Sequence, residues 1–297
     1  MSEFIAFLAE TAITIFIFAI LTLSVNIQYG AAGIFNFGIV AFFLIGAYAS
    51  AYATLAGLPF VSGVAVGAGL AAVVGFLISL PAINLRGDYL ALATFMFAEI
   101  INLIILNVPS LGGAIGLASV PSAFPWINSY PLLLTANLLL SGLVFLVLYI
   151  VYRLMMTSPY GRAIRAMREN ENLAESLGKN TFRYKAQIFI IGSIIAGIDG
   201  ALYSQYLGFA GTELFTYAVT FTAYIMSIIG GSSTGIGALL GSFFYIGMQD
   251  FLRIAKNYMS LPVDPNNLTF ILFGLATVAI LYYRPDGLIR EEVRKVR

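Results

Sequence analysis

The amino-acid sequence predicts an all-α integral membrane protein with about nine transmembrane helices, within a range of about eight to ten. Its 297 residues are 60% hydrophobic and only 10% charged, whereas a soluble domain is roughly 45–50% apolar and about 25% charged. The apolar residues form runs close to the roughly 20 residues that a helix needs to cross a bilayer. One long charged interval, residues 155–183, interrupts these runs and must lie in water. We therefore predict a single transmembrane domain over residues 1–297 that contains a water-exposed element.

Separate apolar runs give the helix count. They cover residues 4–25, a stretch that ends at 55, and residues 60–83, 89–107, 131–154, 184–207, 214–229, 236–254 and 268–283. Residues rich in Gly, Pro, Ser and Asn separate several of these runs and mark turns. Residues 109–130 hold the single tryptophan, Trp126, and predict an external loop with an aromatic side chain at the membrane interface.

Two polar, Gly-rich segments adjoin the apolar runs. Residues 26–38, which include Asn26, Gly33 and Asn36, are too polar to face lipid. They form either a plain turn or a broken helix beside a transport path, because irregular backbone at membrane depth persists only where it is buried in protein or lines a cavity. Residues 230–235, Gly-Gly-Ser-Ser-Thr-Gly, separate two later helices and are a second candidate for a broken or re-entrant segment.

The composition excludes several classes of function. The chain has no cysteine and no histidine, so thiolate chemistry, Cys or His metal sites and the commonest general base are all missing. A formal net charge of +1 gives no overall positive charge to attract nucleic acid. We predict no catalytic residues, no metal site, no cofactor in this chain and no enzymatic activity.

The charged interval carries the start and stop signals of short helices. Ser158 is a good N-cap, Pro159 suits the first helical position, and Gly178 suits a left-handed C-terminal cap. Arg162, Arg165 and Arg168 form a basic edge, and Ile164, Met167 and Leu173 offer apolar contacts. The interval therefore predicts a pair of short helices to which a soluble partner docks. The alternative is a solvated loop that binds the headgroups of membrane lipid, since each basic residue near the surface attracts anionic lipid by about 1 kcal/mol.

Charge and helix parity predict the orientation. Cytoplasmic loops of membrane proteins carry an excess of Lys and Arg. If residues 155–183 are cytoplasmic, the helix count places Arg86 and the tail, residues 284–297, on the same side, and the amino terminus outside. Of the 15 basic residues, all except Arg253 and Lys256 then lie inside or at the inner interface.

Polar side chains within the apolar runs are candidates for a translocation path. A carboxylate at the bilayer centre costs about 2.5–3.5 kcal/mol or more, so Glu99 and Asp199 are expected to face the protein interior. We expect Asp199 to hydrogen-bond to a neighbouring helix. Asp88 stands where an N-cap belongs, so its expected role is capping. Further candidates for the lining of a polar cavity are Asn36, Asn102, Tyr29 and Tyr224.

Four stretches resemble one family of transport proteins. The run 160–185 resembles the coupling region of the permease subunits of bacterial and archaeal branched-chain amino acid ABC importers. Three more stretches match the same family: Gly-Asp-Tyr-Leu-Ala-Leu-Ala-Thr from Gly87 with Glu99 following, Gly-Gly-Ser-Ser-Thr-Gly-Ile-Gly-Ala-Leu-Leu-Gly from Gly230, and Arg-Pro-Asp-Gly-Leu from Arg284. The region around Asp88 and Glu99 is more similar to the LivM type of permease than to the LivH type.

The resemblance implies an assembly in the cytoplasmic (inner) membrane of a bacterium or archaeon. In such importers, with a type II ABC importer-like fold, this chain is one permease domain. Its partners are a homologous LivH-like permease, two ATPase subunits that bind ATP and Mg, and an external solute-binding protein. This chain itself lacks the Gly-x-x-x-x-Gly-Lys-Ser/Thr phosphate-binding loop of such ATPases.

The resemblance also implies roles for individual residues. A set within the coupling loop, residues 155–183, is expected at or near the groove of an ATPase subunit: Gly161, Arg162, Arg165, Ala166, Glu169, Ala174 and Gly178. The importer signature Glu-Ala-Ala-x-x-x-Gly is only partly present, since Asn172 and Leu173 stand where Glu and Ala are usual. Either Glu169 or Glu171 therefore takes the acidic role. The predicted translocation path is formed by Asn36, Glu99, Asn102 and Tyr224.

The sequence alone leaves open one alternative mechanism of transport and one alternative class of substrate. Glu99 and Asp199, together with broken segments near Gly33 and Gly230, are also compatible with a secondary transporter driven by an ion gradient. Within the resembled family, the substrate is either a branched-chain or other hydrophobic amino acid, or urea or a short-chain amide.

Overall fold

The computed structural model describes residues 3–82, 85, 87–258, 265–283 and 287–289, and these residues are almost entirely helical. The α-helices are α1 Glu3–Val25, α2 Ile39–Leu55, α3 Phe60–Ala82, α4 Gly87–Asn107, α5 Tyr130–Thr157, α6 Pro159–Glu169, α7 Glu171–Ser176, α8 Thr181–Leu207, α9 Tyr217–Gly230, α10 Gly235–Tyr258 and α11 Pro265–Tyr283. Two single-turn 3₁₀-helices, Pro109–Leu111 and Thr212–Leu214, lie in the connections.

A multi-pass membrane protein is the architecture that these helices build. Seven described helical stretches are long and apolar enough to cross a bilayer, and two further apolar helices are shorter, Ile39–Leu55 and Ile271–Tyr283. Each predicted apolar run thus corresponds to a helix, while the number that crosses the membrane stays a prediction. Arg86 and most of the predicted tail, residues 284–297, lie outside the described residues.

Helix α2 forms the centre of the structure together with α3 and α8, and each of these three helices packs against the other two. Helix α2 is buried along nearly its whole length, as expected of a helix that is apolar on all sides. Glycines allow the three helices to approach closely: a Cβ atom on Gly46 would overlap the backbone of Gly197, and one on Gly67 would lie 2.7 Å from the Gly46 carbonyl oxygen. Such small-residue contacts are a common means of packing helices in membranes.

The remaining helices surround this centre. Helix α1 packs against α5, α8 and α10, while α9 and α10 form a close antiparallel pair with α11 alongside. Helix α4 is held more loosely, mainly by α2, and exposes a stripe of large apolar side chains. These side chains are Tyr89, Leu92, Met96, Ile100 and Leu103.

Several element boundaries differ from those predicted. Helix α5 runs to Thr157 and α8 begins at Thr181, so the water-exposed element between them is residues 158–180. Helix α4 begins at Gly87, which places Asp88 within its first turn, where the carboxylate complements the helix dipole but is not the N-cap. The predicted loop around Trp126 contains a two-residue strand, Leu117–Ala118, paired antiparallel with Phe209–Ala210 after α8.

The first polar segment is a broken helix and not a plain turn. Helix α1 continues as a π-helix over Asn26–Ala31 and then opens into irregular backbone, with Gly33 at φ +68°, before α2 begins. Asn26, Gln28 and Asn36 are all fully buried. A π-helical turn is rare and often marks a functional site.

Because Gly46 is closely packed, we predict that adding a methyl group there changes the stability of the protein more than adding one at an open position. Gly46→Ala places a Cβ atom against the Gly197 backbone and is expected to lower the free energy of unfolding by about 1–3 kcal/mol. Gly69→Ala, on a side of α3 with no neighbouring atom within 4 Å, is expected to be neutral or stabilising, since Ala favours a helix by about 1 kcal/mol. Thermal unfolding in detergent measures both variants, and equal transition temperatures would contradict this packing.

Candidate functional site

The coupling element, residues 158–180, folds as the sequence predicts. The Ser158 hydroxyl oxygen accepts a hydrogen bond from the Gly161 amide at 3.4 Å, and Pro159 occupies the first turn of α6. Asn170 ends α6 and caps α7, where its side chain accepts from the Leu173 amide at 3.0 Å. Gly178 follows α7 with φ +77°, a left-handed conformation. The element is therefore a folded helix pair and not an extended loop.

The two faces of the coupling element differ in chemistry. Gly161, Ile164 and Met167 of α6 and Ala174 of α7 are buried against the rest of the chain. A Cβ atom on Gly161 would lie within 2.6 Å of backbone atoms of Met156. Gly161 and Ala174 therefore support the element from inside, while their predicted position at or near an ATPase groove stays a prediction. Ile164 and Met167 are likewise internal contacts.

The opposite face is open to solvent and mixes charge with apolar surface. Arg162, Ala166 and Glu169 are exposed along α6, Gly178 is exposed after α7, and Arg165 is half-buried. The exposed fraction is 58% for Leu173 on α7 and 73% for Leu177, the residue that follows α7. We call the set Arg162, Ala166, Glu169, Leu173 and Leu177 the docking patch. An exposed apolar patch rimmed by polar residues marks a site that binds another protein or a membrane.

Local contacts hold α6 and α7 onto α8. The ring of Tyr160 lies 5.4 Å from that of Tyr184. Burial, with a smaller contribution from Tyr184, raises the pKa of Tyr160 to about 12, so its hydroxyl stays protonated at neutral pH. Lys185 forms an ion pair with Glu171 at 2.5 Å, and the Thr181 hydroxyl donates to Glu175 at 2.5 Å. Glu171 is thus engaged within the chain, whereas Glu169 faces solvent.

Arg168 connects the coupling element to both broken segments. Its guanidinium Nη1 donates to the backbone carbonyl of Gly30, in the π-helix, and to the Ser233 hydroxyl, in the second segment, at 2.9 Å. The aliphatic part of the side chain packs on Gly33, where a Cβ atom would lie 3.1 Å from the Arg168 Cγ. One side chain therefore joins three elements that are far apart in sequence.

The two broken segments also contact each other directly. A Cβ atom on Gly30 would overlap the Ser232 carbonyl, so the two backbones touch. The Asn26 amide donates to the Thr234 carbonyl at 2.7 Å and accepts from the Ser227 hydroxyl at 2.6 Å. The Tyr152 hydroxyl of α5 donates to the Ser233 carbonyl at 2.8 Å. These side chains therefore provide hydrogen-bond partners for backbone groups of the irregular segments inside the protein.

A short piece near the carboxyl terminus completes this junction. The Leu288 and Ile289 amides donate to the carbonyls of Ile229 and Gly230 at 3.0 and 3.2 Å. Gly287 packs on Gly231, where its Cβ atom would lie 2.7 Å from the Gly231 Cα. Two of the sequence motifs identified above, which begin at Gly230 and Arg284, therefore meet in space.

Two of the predicted path residues meet in the interior. Tyr224 of α9 donates its hydroxyl to the Asn36 carbonyl at 3.1 Å. The Asn36 side chain donates to Gln28 at 2.8 Å and accepts from the Gly38 amide at 2.9 Å. Because both residues are buried and their polar groups are engaged, they stabilise the irregular segment in this conformation. Their role in a translocation path stays a prediction.

Asn102 and Glu99 lie on α4, away from that pair. The Asn102 amide donates to the carbonyls of Thr212 and Phe215 at 3.2 and 3.1 Å and so holds the turn that precedes α9. Glu99 is half-buried beside the exposed apolar stripe of α4. Within the described residues its carboxylate has neither a hydrogen bond nor an ion pair. Glu99 is therefore an acid on an apolar helix and has no partner within the described part of the chain.

Asp199 differs from the expectation. Both of its carboxylate oxygens are buried in α8 and lack a hydrogen-bond partner among the described residues, so the predicted bond to a neighbouring helix is wrong. Within the same residues, no three acidic side chains cluster in a way that suits a metal ion.

Arg168, Tyr152 and Ser233 are the site residues that sequence reasoning missed. The spacing of Arg168 places it on the basic edge of α6 with Arg162 and Arg165 and carries no sign that it points inward. The available signal was the sequence of small polar residues at 230–235, since hydroxyl and carbonyl groups there require buried donors and acceptors.

Comparisons with known proteins identify the family of the chain. A family model described as "branched-chain amino acid transport system / permease component" matches residues 7–281. The probable branched-chain amino acid transport permease protein LivM of Methanocaldococcus jannaschii is 32% identical over 93% of this chain and 91% of its own length. The high-affinity LivM permease of Escherichia coli is 29% identical over 92% of this chain and 68% of its own, and the LivH permease of Salmonella typhimurium is 26% identical over 94% and 93%. No solved structure matches the chain.

Proposed function

Because the chain belongs to the family of permease components of branched-chain amino acid transport systems, we propose that it forms half of the translocation pathway of an ATP-driven importer. Its substrates are branched-chain or other hydrophobic amino acids. The observation that carries this proposal is the folded, water-exposed coupling element, whose Arg168 contacts the broken segments of an otherwise apolar helical chain. The chain is a transport subunit and leaves ATP hydrolysis to other subunits.

The assembly that we propose contains four further components. A homologous permease supplies the other half of the pathway, two ATPase subunits bind ATP and Mg, and a solute-binding protein delivers the substrate from outside. The similarity to both a LivM and a LivH permease supports the partner permease. The distribution of Lys and Arg supports a cytoplasmic coupling element and carboxyl terminus, with the amino terminus outside.

The docking patch has the properties of a surface for an ATPase subunit. It combines an exposed cation and an exposed anion on α6 with two exposed leucines, one on α7 and one directly after it. Buried apolar anchors carry most of the binding energy in protein interfaces, while surrounding charges set orientation. Leu173 and Leu177 are the anchors, and Arg162 and Glu169 orient the partner.

A charge in place of an apolar anchor is expected to release the ATPase subunits. Leu173→Asp should lower their recovery with the affinity-purified permease complex by about tenfold or more, which corresponds to a loss of roughly 1.4 kcal/mol. Asn172→Asp adds the same charge at a neighbouring exposed position of α7 and keeps the leucine, so it serves as the control. Equal recovery of ATPase subunits in both variants would contradict the docking patch.

Helix α4 has the properties of a helix that faces the partner permease across the pathway. Its apolar stripe is not covered by the described residues, and it carries Glu99 beside that stripe. A carboxylate directed at lipid would cost about 2.5–3.5 kcal/mol or more. Contact with a second permease, or with water in a shared cavity, removes that cost. We therefore place Glu99 at the pathway or at the interface between the permeases.

Neutralising Glu99 is expected to impair transport without disturbing assembly. In proteoliposomes that contain the complete complex, Glu99→Gln should lower ATP-driven leucine uptake by about tenfold, a change of roughly 1.4 kcal/mol in the barrier. Asp88→Asn removes a carboxylate from the exposed first turn of the same helix and should keep uptake within about twofold of the wild type. Normal uptake by Glu99→Gln would remove this residue from the pathway.

A further inference from the structure

We propose that Arg168 is the positioning residue that transmits movement of the coupling element to both broken segments. The inference rests on the proposed function, since it assumes that ATPase subunits move this element. It goes beyond docking, because Arg168 is not part of the docking patch. Its guanidinium points inward and joins the α6 helix to Gly30 and Ser233.

The contacts of Arg168 suit the transmission of force in more than one direction. Hydrogen bonds from a charged donor are shorter and stronger than neutral ones. The same nitrogen donates to a backbone carbonyl of the first broken segment and to a side chain of the second. The side-chain stem is also in contact with Gly33, which has a left-handed backbone conformation. A shift of α6 therefore pulls or pushes both segments through one side chain.

The surroundings leave room for such a shift. A cavity of about 560 Å³ lies beside Arg168 and separates parts of the coupling element from the start of α4. Its walls include Gly33, Leu90, Arg168 and Glu175. The element is thus packed firmly through its buried α6 face and less completely on the side of this cavity. Motion of a rigid helix needs a side on which close-packed atoms do not resist it.

A continuous set of contacts leads from Arg168 to the interior. Gly30 lies in the same π-helix as Gln28, which accepts a hydrogen bond from Asn36. The Asn36 carbonyl in turn accepts from Tyr224 of α9. Displacement of Gly30 by Arg168 therefore reaches α9 through one turn of π-helix and two hydrogen bonds. At the same time, Ser233 carries the displacement to the turn between α9 and α10.

Arg168→Met tests this role because methionine keeps most of the stem and removes every donor. The Gly30 carbonyl still accepts from the Ser233 hydroxyl at 3.2 Å, so the junction keeps a partner for this group. In the complete complex with ATPase subunits and solute-binding protein, we expect normal assembly and basal ATP hydrolysis. Leucine uptake and the stimulation of hydrolysis by the loaded binding protein should both fall by about tenfold or more.

Arg153→Met is the matched control, since Arg153 is an exposed arginine near the end of α5 and should behave as the wild type. A second variant, Ser233→Ala, removes one of the two acceptors and is expected to uncouple partially. In the double variant, Ser233→Ala should add little to the loss that Arg168→Met already causes, because both substitutions remove the same hydrogen bond.

The possible outcomes separate this inference from the proposed function. If the wild-type complex shows no ATP-driven uptake, the proposed function fails and the inference fails with it. If the wild type transports and Arg168→Met retains both uptake and stimulation, Arg168 does not transmit the movement. Loss of assembly in Arg168→Met, together with normal coupling in Ser233→Ala, would likewise overturn the inference in favour of a structural role.

Discussion

Irregular backbone inside a membrane protein must find its hydrogen-bond partners within the protein, and the two broken segments satisfy this constraint largely through each other. Asn26 binds the Thr234 carbonyl, and Gly30 is so close to Ser232 that no side chain fits between them. Arg168 supplies the donor that reaches both segments from the coupling element. The surface that contacts water is thereby tied to the interior of the helical bundle.

The regions of the chain around this junction differ in packing and in exposure. The glycine-packed centre of α2, α3 and α8 is rigid, because close-packed helices without intervening side chains resist displacement. The coupling element lies at one end of α8 with an adjacent cavity, and α4 lies at the periphery with an acid that no described residue pairs with. We propose docking as the role of the docking patch, transmission as that of Arg168, and contact with the pathway as that of Glu99.

The sequence predicted those features that depend on neighbouring residues. Ser158, Pro159 and Gly178 act through their own backbone conformations, so the helix pair was correctly predicted before any fold was known. The apolar runs likewise gave the helices.

Features that depend on residues far apart in the chain were not predictable in the same way. The three arginines of α6 have the same spacing, yet Arg168 turns inward because Gly30 and Ser233 lie beneath it. Burial of Gly161 and Ala174 follows from α6 and α7 packing on the bundle, which spacing does not specify. Asp199, which has no hydrogen-bond partner among the described residues, reflects the same limit, since only tertiary structure decides what surrounds a side chain.

The central claim is that ATP hydrolysis drives transport. It is tested most directly by measuring which energy source supports leucine uptake. The complete complex is reconstituted into sealed vesicles, with the coupling element facing the lumen and the leucine-loaded binding protein outside. Leucine uptake is then measured with ATP trapped inside and no ion gradient, and again with a proton or sodium gradient and no ATP. An ATP-driven permease predicts uptake in the first condition alone, with hydrolysis stimulated by the binding protein. Uptake that follows the ion gradient and ignores ATP would contradict it.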